Sequence, residues 1–367
     1  MSRAPAERAL AVTGIGLLTA AGEGLAPLSR ALAAGRDALA PLPAPLARGL
    51  RHQRGGRFPA ALVPPADPDR ARIAAARAAR AALEEAGLGP GPELPLLLGT
   101  GLGASERLEA LGDPQADPAA YEAAWPARLA RALAEELGLD PARARAFTVT
   151  CLSSFCALEQ ARAELVQGRA EAALVIGLET LSRTIQGGFS CLGALAEDGV
   201  LGLLLGEAAC ALVLERPERA RARGARALAL LGPQVMRVDG RHLTSPDPAA
   251  EGLGAAIDAL TRADEQPQAD GHEPALLLTA PASPGYAAQY ARALGDRWGP
   301  AWSTHASTWE GVTGHCLGAS TAVGVAFAAH GFGRGFAPQG ALVLSVGFGG
   351  QSGATRLAPG DPAGAPA

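Results

Sequence analysis

The sequence predicts an α/β layered fold, and three observations carry that prediction. Strand and helix patterns alternate along nearly the whole chain. The strands read as continuous apolar runs rather than alternating ones, which implies that the sheets are covered on both faces. Strand-like runs end in small-residue turns, as at Gly14-Ile15-Gly16, Gly101-Leu102-Gly103 and Gly347-Phe348-Gly349-Gly350.

Residues 1–8 read as a frayed start, and 9–16 as a buried strand running into a glycine turn. Helical spacing over 25–34 stops at Gly35, a C-cap residue. Residues 36–68 are rich in Pro, Arg and Gly and read as loop. Residues 71–86 predict an amphipathic helix with Ala75, Ala79, Ala82, Ala86 and Leu83 on one face. Arg70, Arg77, Arg80 and Glu84 take the other face, with Ile73 misplaced among them. Strands are expected at 94–99, 146–150, 172–177 and after Gly206 to Glu215, and helices at 121–137 and from Cys151 to Val166. The second half opens near Ala225 with a strand at 225–231. It continues with a helix at 252–260, a polar loop at 266–273, a strand at 274–279 and a helix at 286–294. A helix then runs from the 313–320 segment towards His330, followed by a strand at 341–346. Residues 358–367 read as a disordered tail. No sequence repeat between the two halves is evident on inspection.

The 367 residues are 48% hydrophobic, enough for a large core in one domain or two. A net charge of −4, from 32 basic and 36 acidic residues, is too mild for a nucleic-acid surface. The chain contains neither Lys nor Asn, so no mechanism can take a catalytic Lys or Asn from it. Its five cysteines show no metal-type spacing, and the expectation is a reduced cytoplasmic protein with no metal and no cofactor. Glycine turns without a Walker lysine or a dinucleotide spacing point the same way. The charged start has no long apolar core and no stretch of roughly 18 apolar residues occurs, so neither a signal peptide nor a membrane span is expected.

The chemistry centres on Cys151. A β-rich run ends there and a helical pattern starts at once, so the sulfur is expected at a helix N-terminus. The unpaired N–H groups and the positive dipole end at such a position favour a thiolate. The alternative is a buried structural cysteine. His315, in Thr313-Gly314-His315, also precedes a helix; it is either a partner for the cysteine or a cap residue with no partner. Cys156, Cys191, Cys210 and Cys316 read as core or helix residues. His52, His242, His272 and His330 read as surface or loop residues.

Taken in order, these segments resemble the β-ketoacyl synthases of the thiolase fold, specifically the 3-oxoacyl-ACP synthase type II enzymes and their polyketide relatives. The matching pieces are the opening strand Arg8-Ala9-Leu10-Ala11-Val12-Thr13-Gly14-Ile15-Gly16, the nucleophile segment at Thr150-Cys151 and Gly177-Leu178-Glu179. Gly187-Gly188-Phe189, Ala194-Leu195 and Gly206-Glu207-Ala208-Ala209 follow. Thr313-Gly314-His315-Cys316-Leu317-Gly318-Ala319 resembles the family's Thr-Gly-His-x-x-Gly-Ala, and Ser345-Val346-Gly347-Phe348-Gly349-Gly350 its Ser-Phe-Gly-Phe-Gly-Gly.

The resemblance implies a five-layer αβαβα fold of two pseudo-equivalent halves, 1–215 and 216–357, with 358–367 as the tail. It implies decarboxylative Claisen condensation with acyl carrier protein as partner, in a homodimer or a heterodimer with a second ketosynthase. Cys151 would take the acyl group, and His315 would polarise the malonyl thioester. Phe348 would serve as gate and, with Gly349 as neighbour, as oxyanion donor beside the N–H of Cys151. Two positions depart from the pattern. Pro281 stands where the family has its first histidine, and Glu310 where it has a lysine. His305 lies nearby in sequence but out of register with the missing histidine. The chain is also short between Gly35 and Leu94, Leu195 and Gly206, and His330 and Ala341. Three readings follow: a condensing enzyme with a changed malonyl site, a catalytically weak partner subunit resembling the chain-length factors, and an inactive paralogue.

Overall fold

The computed structural model describes residues 9–50, 54–112, 122–196, 201–262, 274–332, 334, 337 and 339–361. Its strands are β1 (Leu10–Thr19), β2 (Gly22–Glu23), β3 (Ala40–Pro41), β4 (Arg54–Gly55), β5 (Leu96–Gly99), β6 (Ala144–Phe147), β7 (Ala172–Glu179) and β8 (Ala208–Glu215). The later strands are β9 (Ala229–Val238), β10 (Ala275–Leu278), β11 (Ala306–Ser307), β12 (Ala341–Gly347) and β13 (Gln351–Pro359). The main sheet path runs β11-β10-β12-β13-β9-β1-β8-β7-β5-β6, with β2 paired to β1.

This path is two copies of one arrangement. In the first, β6, β5 and β7 run parallel, and β8 and β1 continue antiparallel. In the second, β11, β10 and β12 run parallel, and β13 and β9 continue antiparallel. Numbered by chain order within its own half, each copy lies in the order third, second, fourth, fifth, first. The halves join where Leu10, Ala11 and Val12 pair with Leu231, Leu230 and Ala229. The repeat is one of topology, which many residue choices satisfy.

Helices complete five layers. Helices Arg70–Ala86 and Pro126–Glu136 cover the outer face of the first half, packing Ala75, Ala79, Leu129 and Leu133 on Leu96, Leu98, Leu174 and Ile176. Helices Ser153–Val166 and Ser320–Phe332 form the middle layer, with Leu158, Ala161, Val323 and Phe327 in one core with residues of both halves. Helix Ser320–Phe332 is buried on nearly all sides, and its sequence is accordingly apolar all round. Helices Glu251–Arg262 and Pro284–Trp298 cover the outer face of the second half through Leu253, Ile257, Tyr290 and Leu294. The α/β layered expectation and the five-layer order hold. Strands β7, β8 and β12 are buried along their whole length, as their unbroken apolar runs predict.

The differences have identifiable causes. β13 reads as polar and small, so it escapes a hydrophobic pattern search, yet it pairs with both β12 and β9 and extends through Pro359. The tail read as disordered from 358 is therefore strand as far as Pro359, and Asp361 bonds Ala227 through both backbone and side chain; residues 362–367 lie outside the described residues. The strand expected at 225–231 is β9, which continues past Gly232 and Pro233. Its pairing with β13 shifts register between Thr355 and Leu357, which accommodates the missing donor. The loop read at 36–68 carries β3, β4 and a short helix, Ala44–Ala47. Helices Arg183–Cys191 and Pro217–Ala222 were not expected. The 266–273 loop, His52 and His272 lie outside the described residues.

Arg70, assigned to the charged face of its helix, is buried instead. It makes a bidentate pair with Glu207 at 2.5 and 2.7 Å, and Glu207 also accepts the N–H groups of Phe58 and Leu181 at 2.8 and 2.9 Å. Glu179 is equally buried at the end of β7, accepting Thr100 Oγ1 at 2.7 Å, Gly101 N at 2.8 Å and Gly318 N at 3.5 Å. Burial pushes its carboxyl up to about 7 against the pull of these donors.

Two outcomes follow for stability. Arg70→Ala strands a carboxylate in the core and should cost about 3–5 kcal/mol in urea denaturation. For Glu179, both native and unfolded states hold the proton below 4.5, and between there and about 7 only the native state keeps it. Stability therefore falls as pH rises through that window, by up to about 1.4 kcal/mol per unit. Denaturation of Glu179→Gln across the same pH range should show a flatter profile.

Candidate active site

Strand β6 ends at Phe147, three residues earlier than its sequence pattern suggests, and the chain turns before reaching the cysteine. Thr150 takes a left-handed conformation with φ 46°, which costs energy for a β-branched residue. A single 3-10 turn, Thr150–Leu152, then opens directly into helix Ser153–Val166. Ser153 locks this turn, donating to Thr150 O at 2.6 Å and accepting Val149 N–H at 2.9 Å. Cys151 is thus held at a helix N-terminus with its side chain 8% exposed.

The second half makes the same local path. Leu317 has φ 45°, a 3-10 turn spans Leu317–Ala319, and helix Ser320–Phe332 follows. Gly318 occupies the place that Cys151 holds in the first half. His315 sits just before this turn, so nucleophile and histidine arise from corresponding corners of the two halves. Its backbone is fixed by donation to Leu204 O at 2.6 Å and acceptance from Gly206 N at 2.9 Å. Gly314 precedes it with φ 79°, and a Cβ there would fall 2.8 Å from Leu204 O, so this position requires glycine.

The two corners meet. His315 Nε2 lies 3.3 Å from Cys151 Sγ. On the other side of the ring, His315 donates from Nδ1 to Glu310 Oε1 at 2.8 Å. Glu310 comes from a short helix, Glu310–Thr313, and its second oxygen accepts Ala280 N–H at 2.7 Å. Ser320 Oγ adds a longer contact to Oε1 at 3.4 Å. All of these side chains are buried. Burial works against a charged imidazole here, but Glu310 and then Cys151 outweigh it, and His315 titrates well above the ordinary histidine range. The resulting imidazolium faces the sulfur.

The segment after β12 closes over the cysteine. A Cβ at Gly347 would lie 3.3 Å from Cys151 Cβ and 2.9 Å from Leu152 Cδ1, so no side chain fits between strand end and nucleophile turn. The Phe348 ring stacks on Phe189, with centroids 5.3 Å apart. Thr150 Oγ1 donates to Phe348 O at 3.4 Å and to Gln351 Oε1 at 3.1 Å. The N–H of Gly349 is engaged with Leu243 O at 2.6 Å. An N–H held in this way is not free to donate to a substrate oxygen.

The two departures have different fates. Pro281 follows Ala280, whose φ is 53° and whose N–H is committed to Glu310, so this corner presents no titratable group at its residues 279–281. Glu310, read only as a reversed charge, is brought into contact with His315. The spacing of five residues between them across a glycine turn was the available signal. His305 is exposed at the end of the 3-10 segment Gly299–His305. Ser320, Gln351 and the backbone of Ala280 border the site without having been singled out in the sequence, and Phe189 had been read only as part of a matching block. Cys210 and Cys316 are buried, Cys156 is half-buried and Cys191 is exposed; Cys316 Sγ contacts Thr313 Oγ1 at 3.6 Å. Among the described residues no helix is long and apolar enough to cross a membrane, and no His, Cys, Asp or Glu group is placed to hold a metal.

Comparison with known proteins places this geometry. Residues 7–220 match the family model of the β-ketoacyl synthase N-terminal domain. The 3-oxoacyl-[acyl-carrier-protein] synthase 2 proteins of Mycobacterium bovis and Mycobacterium tuberculosis are 30% identical over 186 residues, 44% of this chain and 43% of theirs. The chain thus matches less than half the length of these curated relatives. Among solved structures, the ishigamide ketosynthase/chain length factor superposes with a TM-score of 0.82 at 23% identity, covering 96% of this chain and 99% of that one. A β-ketoacyl synthase from Burkholderia phymatum superposes with a TM-score of 0.80 at 21% identity, covering 96% and 99%. A type II PKS acyl-carrier protein in complex with its ketosynthase bound to the hexaketide gives 0.82 at 18%, covering 96% and 100%. With the family model spanning more than half of its length, this chain belongs to the β-ketoacyl synthase family.

Proposed function

We propose that the chain is a condensing acyltransferase of fatty-acid or polyketide-type elongation that accepts an acyl group from acyl carrier protein onto Cys151. The observation that carries this reading is the 3.3 Å approach of His315 Nε2 to Cys151 Sγ at a helix N-terminus. The thiolate attacks the acyl thioester. The N–H groups of Cys151 and Phe348 receive the developing oxyanion. Phe348, stacked on Phe189, is the gate that must swing for a second substrate to reach the acyl-cysteine. Residues 1–215 supply the nucleophile and 216–357 supply His315, Glu310 and the gate, which is the functional division assigned to the two halves. No cofactor or metal enters this mechanism. Five free cysteines fit a cytoplasmic setting.

A second reading is favoured by Pro281 and by the likeness to a ketosynthase/chain length factor structure. In it the chain is the weak subunit of a heterodimer and its partner completes the condensation. The partner, identical or not, would add to β6, which forms one end of the sheet path.

Two measurements test these readings. Acid-quenched intact-mass analysis after mixing with acyl-ACP should show one acyl group on the wild type and none on Cys151→Ala, while carbon dioxide release from malonyl-ACP by the isolated chain stays weak. Full condensation by the chain alone would remove the partner-subunit reading. Gly347→Ala pushes a methyl group against the nucleophile turn and should slow acylation by about 100-fold while leaving the circular dichroism spectrum native.

A further inference from the structure

Three groups in the site are joined in a chain of contacts: Cys151 Sγ to His315 Nε2 at 3.3 Å, and His315 Nδ1 to Glu310 Oε1 at 2.8 Å. These contacts are anchored beyond Glu310 by Ala280 N–H at 2.7 Å, so the carboxylate cannot rotate away from the ring without breaking that bond. We propose that Cys151, His315 and Glu310 form a complete nucleophile–imidazole–carboxylate relay that hydrolyses acyl thioesters to free carboxylic acids without any malonyl condensation. The proposal rests on the reading of Cys151 as the acyl acceptor and adds an activity to that site.

Hydrolysis asks less of the site than carbon–carbon bond formation does, so it is open to the isolated chain even where condensation waits for a partner. Condensation needs a group opposite the cysteine to polarise a second thioester as its carboxylate leaves. The corner at 279–281 offers no titratable side chain: Thr279 carries only a hydroxyl, which accepts Val346 N–H at 3.1 Å, Ala280 N–H is held by Glu310, and Pro281 has no N–H. Water needs only a base, and His315 supplies one. In the first step Sγ bonds the thioester carbonyl carbon, the donor C–S bond breaks, and the departing thiolate takes the proton from His315 Nε2 and leaves as a free thiol. In the second, a water oxygen attacks the acyl-Cys151 carbonyl and gives its proton to Nε2, the C–Sγ bond breaks, and the acid departs. The thiolate–imidazolium pair is restored and no redox change occurs. Glu310 is a positioning residue: it selects the tautomer with Nε2 towards the sulfur and balances the charge on the ring.

The groups that bear on the pair are few. Ser320 Oγ approaches Glu310 from its own helix, and Tyr286 and Tyr290 come from helix Pro284–Trp298. Burial holds both tyrosines neutral, far above their ordinary range. Glu310 is thus the group whose removal should alter the ring's proton affinity most.

The test uses the purified full chain and octanoyl N-acetylcysteamine thioester in ¹⁸O-labelled water. The wild type should release labelled octanoic acid over many turnovers per Cys151, and Cys151→Ala none. Glu310→Gln should slow release by about 100-fold and move the alkaline limb of the rate profile to lower pH, because the ring loses its proton more readily. Glu310→Asp should restore part of both, and it carries the same comparison should Glu310→Gln fail to fold. Wild-type turnover and an unmoved pH profile in Glu310→Gln would overturn the relay. A stable acyl-Cys151 with no labelled acid would overturn the hydrolase while leaving acylation intact. Neither adduct nor acid would overturn both this inference and the acyl-acceptor reading beneath it.

Discussion

The hydrogen bond from His315 to Glu310 governs how the rest of the site behaves. It sets the imidazole tautomer, points Nε2 at Cys151, and keeps a charged ring in a place that water barely reaches. A carboxylate this buried is tolerable because both of its oxygens are bonded, one to the ring and one to Ala280 N–H. The left-handed backbone at Ala280 belongs to this arrangement, since it turns the N–H at the end of β10 towards Glu310.

Those contacts are available only because two topologically identical halves join at β1 and β9. In each half, the turn after the third strand enters a middle-layer helix through a left-handed residue and a 3-10 turn. One such corner carries the cysteine and the other the histidine. Packing of helices Ser153–Val166 and Ser320–Phe332 in one core brings the corners within hydrogen-bonding distance. Buried carboxylates then hold the surrounding turns. Glu207 ties Arg70, Phe58 and Leu181 together, and Glu179 ties the end of β7 to Thr100, Gly101 and Gly318. Residues that look like surface charge in a helical wheel are in this way internal fasteners.

Legibility differed between elements for physical reasons. β7, β8 and β12 were plain in the sequence because burial on both faces demands an unbroken apolar run. β13 was not, because its residues are small and polar and its place in the sheet comes from two neighbours that the sequence does not display. Arg70 was assigned to the wrong environment because periodicity reports which face a residue occupies, whereas an ion pair with Glu207, 137 positions away, decides whether that face is buried.

At the site, the order of residues along the chain was sufficient to nominate Cys151, His315 and Phe348, because each sits in a short segment whose neighbours constrain it: a strand ending at a helix start, a histidine between glycines, an aromatic in a glycine turn. It was also sufficient to mark Pro281 and Glu310 as unusual. What surrounds those two positions is a matter of tertiary contact. Pro281 leaves residues 279–281 without a titratable side chain, and Glu310 turns from a reversed charge into the partner of His315. Gly349 likewise gives its N–H to a partner that local sequence does not display, the carbonyl of Leu243 more than 100 residues away. Hydrogen-bond partners are chosen by proximity in space, and here proximity is created by two halves folding against each other, so local sequence could name the participants without stating which atoms they would face.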